Sequence, residues 1–158
     1  MDFKFSKLPI LGELKSDDLK FFYYDVARFS ELDSLIELPN DELLKVTKKL
    51  GVKLIPLKQL TFKKNKYTPA KNEIIFTIQK KNKNGKVDLS CQTALLNHLR
   101  NSFSHYRIIY SIDSTSFLME DCTTRGYTMR GLVEKDKLKE LIIKLQEYNE
   151  TETNQLLK

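Results

Sequence analysis

The chain has 158 residues, a formal net charge of +6 and 41% hydrophobic residues, with no Trp, five Gly and four Pro. That length fits one domain with a real core, and the scarcity of Gly and Pro argues against a turn-rich all-β fold. Cys91 and Cys122 are the only cysteines and there are two histidines, which disfavours a disulfide framework and a structural zinc site; no apolar run is long enough to cross a membrane.

In chain order, residues 1–15 read as an arm packed on the body. Ser16 is a candidate N-cap before Asp17 and Asp18, and Leu19, Phe22, Tyr23, Val26 and Phe29 then recur at helical steps, predicting a helix over about 17–37. A second, short helix starts at Pro39-Asn40-Asp41-Glu42, with Leu43, Leu44, Thr47 and Leu50 inside and Gly51 as a C′ stop. Residues 52–71 have apolar content without a clean period. Glu73–Gln79 reads either as a β-branched strand or as part of a helix, and 80–86 as a basic loop around Asn84-Gly85.

The segment 89–105 is the most informative. On a helical wheel Leu95, Leu96, Leu99 and Phe103 fall within one arc of about 100°, while Asn97, Arg100, Asn101, Ser104 and His105 lie opposite. A solvated helix face usually carries Glu and Lys, and none occurs between Asp88 and Glu120. Arg107–Ile112 and Ser116–Glu120 then predict a β-hairpin turning at Asp113-Ser114-Thr115, Arg125–Leu132 a third extended piece, and Val133–Tyr148 a helix with Leu138, Leu141, Ile142 and Leu145 inside. Residues 1–150 thus make one domain, with 151–158 as a frayed tail.

Leu99-Arg100-Asn101-Ser102-Phe103-Ser104-His105 resembles the signature of the HEPN superfamily, an Arg followed by a polar residue and, four to six residues later, a His. The apolar helix before it, the helix end at the His and the hairpin and amphipathic helix after it resemble small HEPN proteins of bacteria and mobile elements. The resemblance implies a mainly α, HEPN-like helical bundle with a small β-hairpin after the motif helix. It also implies metal-independent cleavage of RNA by its own 2′-hydroxyl, with Arg100, Asn101 and His105 as site residues and no cofactor.

The residue types suit that chemistry. His titrates near neutral pH and serves as acid or base, while Arg stays charged and forks onto phosphate oxygens. In an ideal helix Arg100 and His105 stand roughly 140° apart, so only the long Arg side chain brings them together, whereas Asn101 shares a face with His105. One motif supplies one His; the family pairs two motifs across a homodimer. The two cysteines read as reduced and the N-terminus shows no apolar signal core, so a cytoplasmic location is expected. The resemblance further implies a setting in defence, toxin–antitoxin or abortive infection, with an antitoxin or inhibitor protein as a further partner.

Plainer readings stand beside these. Arg100 pairs with an acid such as Asp121 and His105 caps a helix; the fold serves as a non-catalytic dimeric RNA-binding or regulatory module. His98 reads as a packed histidine beside Leu95 and Leu99, and Tyr106 and the Phe22-Tyr23 stripe as core. The lysines at 63–66 and 80–86 guide RNA phosphates or are solvated surface.

Overall fold

A computed structural model describes residues 14–32 and 34–158; most of the arm expected over 1–15 lies outside them. The architecture is α/β, and the expected mainly α bundle is corrected. Five strands form one mixed sheet in the order β1-β2-β7-β6-β5: β1 (Lys53–Leu57), β2 (Glu73–Thr77), β5 (Ile108–Tyr110), β6 (Ser116–Thr123) and β7 (Gly126–Glu134). A separate hairpin of β3 (Gln79–Asn82) and β4 (Gly85–Asp88) follows β2. The hairpin, third strand and closing helix expected after residue 106 are all present. The error lay upstream: Lys53–Leu57 pairs in parallel with Glu73–Thr77, and β2 pairs antiparallel with β7, so two segments of indistinct period complete the sheet. The polar stretch 79–88 is a hairpin turning near Asn84-Gly85, where Gly85 holds φ +117°.

The helices pack on one sheet face. Alternation along β6 sends Phe117, Met119 and Asp121 to that face and Leu118 and Glu120 to the other. Phe117 and Met119 join Ile74, Phe76, Met129 and Val133 in a core shared with Phe22, Val26, Leu95, Leu96, Leu99, Leu138, Leu141, Ile142 and Leu145. The first helix, α1 (Ser16–Lys20), continues as a π-helical stretch over Phe21–Arg28. Its inner face is Phe21, Phe22 and Val26; Tyr23, expected in the core, is 52% exposed beside Tyr24. Ser16 is the first helical residue and Lys15 the N-cap, with no side-chain cap.

The chain leaves this helix well before residue 37. Ile36 N–H donates to Asn149 Oδ1 at 2.8 Å and Leu38 N–H to Gln92 Oε1 at 2.9 Å, so side chains from two other helices take the backbone bonds. α2 (Asn40–Lys49) ends at Gly51, φ +81°, as its sequence suggested, while α4 (Lys135–Leu156) continues through most of the stretch expected as a frayed tail.

Two buried carboxylates tie the layers. Asp18 accepts hydrogen bonds from Tyr110 Oη and, at 2.7 Å, from Lys139 Nζ. Burial pushes its carboxyl up, but the bonds from Lys139 and Tyr110 and the charges of Lys139 and Lys135 outweigh that and hold it below its ordinary value of 3.8. On the opposite face Glu120 accepts from Arg130 Nε at 2.7 Å, and Arg130 Nη1 donates to the carbonyls of Lys64 and Tyr67, each at 3.2 Å. This cross-strand pair fastens the 58–72 connection, which links the parallel strands β1 and β2, to the sheet. With Leu118 against Ile109 and Leu132, it makes up the second, smaller core.

Burial pushes the Glu120 carboxyl up to about 7 against the pull of Arg130. A raised carboxyl favours the fold below its ordinary value of 4.5, and that contribution is lost as pH rises through about 7. Relative to E120Q, which does not titrate, the wild type is expected to lose on the order of 3 kcal/mol of unfolding free energy across that window. Denaturant unfolding of both proteins from acid to mildly alkaline pH measures it.

Candidate functional site

The motif lies on α3 (Cys91–Ser104), and both ends of that helix are fastened. At the start, Ser90 Oγ accepts from Thr93 N–H at 3.2 Å and donates to Glu37 at 2.7 Å, Thr93 Oγ1 also donates to Glu37, and Cys91 N–H donates to Asn40 Oδ1 at 2.9 Å. Along the middle, the buried ridge of Leu95, Leu96 and Leu99 faces the core. At the end, Tyr106 N–H donates to the Phe103 carbonyl and Arg107 N–H to the Ser102 carbonyl, a Schellman closure with Tyr106 at C′, φ +58°. The helix therefore stops at His105, as the motif suggested.

α2 closes in the same way, but with Gly51 at C′. A bulky L-residue in this left-handed region costs roughly 1–2 kcal/mol. Tyr106, expected in the core, is 56% exposed, so little packing offsets that cost.

The polar side of α3 faces a cleft of about 590 Å³. Its other walls are the ends of β2 and β6, the β6–β7 turn, the start of the β3–β4 hairpin, and Leu60 and Thr61 of the 58–72 connection. Arg100, Asn101 and His105 all line it, so the three residues singled out in the sequence come together at one surface. Lys80, Lys81 and Arg125 add positive charge from separate elements, and Thr61, Thr77, Thr123, Thr124 and Thr128 add hydroxyls.

Asp121 is the one carboxylate lining the cleft among the described residues, and it is already engaged. Its Oδ2 lies 2.8 Å from His98 Nδ1 and accepts from Asn101 Nδ2 at 3.3 Å. His98 Nε2 lies 2.8 Å from the Thr77 carbonyl. A carboxylate oxygen and a carbonyl oxygen are both acceptors, so each ring nitrogen of His98 faces an acceptor and the ring is held from both sides. Its edge also meets the Phe76 ring at a centroid distance of 6.4 Å. A register shift between Asp121 and Cys122 lies directly at this contact, the kind of bulge that re-aims a side chain.

These contacts revise one expectation: Asp121 pairs with His98, not with Arg100. The Asn101 amide, on the face it shares with His105, donates to Asp121. His98 is packed as expected, with its side chain 13% exposed, but it packs against the Asp121 carboxylate on the cleft floor. The available signal was the seven-residue interval between His98 and His105, which sets them only about 20° apart and about 10 Å along the axis. Asp121, Thr77 and Arg125 had no such signal, because the sheet and its turn deliver them. Tyr127 is occupied by Phe62 and Arg130, at 6.2 Å and 5.4 Å, and offers no free stacking face for a base.

Comparison with protein families, with characterised proteins and with solved structures finds no match for this chain. Among the described residues no helix is long and apolar enough to cross a membrane.

Two outcomes are expected at this site. Y106G should raise the unfolding free energy by about 1 kcal/mol by relieving the left-handed tyrosine, read by chemical denaturation. In a nitrogen-15 histidine spectrum D121N should shift the His98 Nδ1 resonance more than its Nε2 resonance, because Nδ1 faces Asp121 and Nε2 the Thr77 carbonyl.

Proposed function

We propose that this protein binds RNA in the α3 cleft and cleaves it without a metal, using the ribose 2′-hydroxyl as nucleophile. The observation that carries the reading is the convergence of Arg100, His105, Arg125, Lys80 and Lys81 on one cleft whose carboxylate is engaged by His98 and Asn101. Such a surface attracts a phosphodiester backbone. The helical-bundle architecture that came with the HEPN resemblance is not adopted, so the chemistry rests on the residues themselves.

Arg100 forks onto the scissile phosphate and stabilises the charge that grows on its oxygens. His105, exposed at the helix end, takes the 2′-hydroxyl proton. The O2′–P bond forms and the P–O5′ bond breaks. The leaving oxygen collects a proton, leaving a 2′,3′-cyclic phosphate and a 5′-hydroxyl. His98 is a poor second proton carrier, since both of its nitrogens are bound in place. A second copy of the chain supplies that imidazole in a composite site across a two-fold axis.

A non-catalytic RNA-binding module is the second reading. It is favoured by Asn101 and His98 being spent on Asp121, which leaves His105 as the cleft histidine without a bound partner of this kind.

The test is incubation of mixed cellular RNA with the protein in EDTA. Wild type should release fragments with 2′,3′-cyclic phosphate ends and sediment at twice the monomer mass of 18.5 kDa. H105A should cut about 10²–10⁴-fold more slowly, and R100A should also be strongly impaired. Retained cleavage by folded H105A overturns the catalytic assignment; tight RNA binding without cutting by wild type selects the second reading.

A further inference from the structure

The β3–β4 hairpin stands apart from the main sheet and is exposed along most of its length. It carries Lys80, Lys81, Lys83 and Lys86. Its one acid, Asp88, sits at the base, 3.8 Å from Lys58. An isolated two-stranded hairpin is marginal in water, and like charges directly opposite weaken it further. Here Lys81 and Lys86 are direct cross-strand partners. The local sequence therefore works against the element's own stability, and a bound polyanion would remove that penalty.

Lysines also discourage strand edges from pairing with other chains, and that role alone would explain scattered charge. The charge here is not scattered. Lys80 and Lys81 line the cleft that holds Arg100 and Arg125, Lys86 sits beside Lys81 as its cross-strand partner, and Lys83 carries the positive charge on to the turn at the far end of strands roughly 13 Å long. Among the described residues no Phe or Tyr side chain lines the cleft, so contacts along this strip go to phosphates and carry little sequence preference.

We propose that the β3–β4 hairpin is a phosphate-tracking arm that leads single-stranded RNA into the α3 cleft. The proposal rests on the reading of that cleft as an RNA site. Long RNA is held by arm and cleft together, and short RNA by the cleft alone, so affinity depends on length and on salt.

The experiment measures binding of fluorescein-labelled single-stranded RNAs of about 20 and about 6 nucleotides by anisotropy across a range of KCl, with wild type, K83Q/K86Q and K83R/K86R. Each phosphate contact on a single strand contributes about 0.7 to the slope of log affinity against log salt. For the long RNA, K83Q/K86Q should lower that slope by about 1.4 and weaken binding at least several-fold, while K83R/K86R keeps the wild-type slope. For the short RNA the slope should change little. If wild type binds the long RNA and K83Q/K86Q has the same slope and affinity, the arm is overturned while the RNA site stands. If the slope falls but no RNA is cut, the arm stands and the nuclease reading fails. If wild type binds neither RNA, both are overturned. Both replaced lysines are exposed, and circular dichroism confirms that the variants fold.

Discussion

The His98 ring bridges three elements: from α3 it reaches the Thr77 carbonyl at the end of β2 and the Asp121 carboxylate on β6, each at 2.8 Å. Its two bonds fix the helix in rotation and height against the sheet, and with them the direction in which Arg100, Asn101 and His105 face. Removing either partner of a largely buried hydrogen-bonded pair leaves the other unsatisfied, which is costly. The same contact engages Asp121, the one carboxylate lining the cleft among the described residues, beside the motif helix.

The opposite sheet face is organised by a second buried pair with a different purpose. Arg130 and Glu120 are cross-strand neighbours, and the guanidinium also gathers the Lys64 and Tyr67 carbonyls. A parallel pair of strands needs a long connection, and here that connection has no regular element of its own beyond the bridge of Phe62 to Tyr127. Buried donors on the sheet satisfy its backbone and hold it down. Because the same segment contributes Leu60 and Thr61 to the cleft wall, the two faces are mechanically linked.

Much of the second half of the chain was legible from local pattern. The α3 ridge, the end of that helix at His105, the Asp113 turn, β7 and the inner face of α4 each follow from periodicity or turn chemistry within a dozen residues. At the turn, Asp113 Oδ1 accepts from Ser111 Oγ, Thr115 N–H and Thr115 Oγ1, which holds its carboxyl down to about 2. The first half was less legible. Val52–Leu57 and Glu73–Gln79 are short apolar runs, and such runs suit a buried strand and a buried helix equally until their partners are known. Tyr23 and Tyr106 were misplaced for a related reason: a wheel drawn at 100° per residue does not hold through a π-helical stretch or past a helix end.

The sequence by itself determined which residues are chemically distinctive and that Arg100, Asn101 and His105 sit at the end of an amphipathic helix, because those facts depend on neighbours three or four positions apart. Tertiary structure alone decided that β1 and β2 join β5, β6 and β7 in one sheet. It also decided that His98 turns toward Asp121, and that Arg125 and the β3–β4 lysines share a cleft with the motif. Those outcomes depend on contacts between residues about twenty or more positions apart, where hydrogen-bond geometry and burial select among arrangements that local propensity leaves nearly equal.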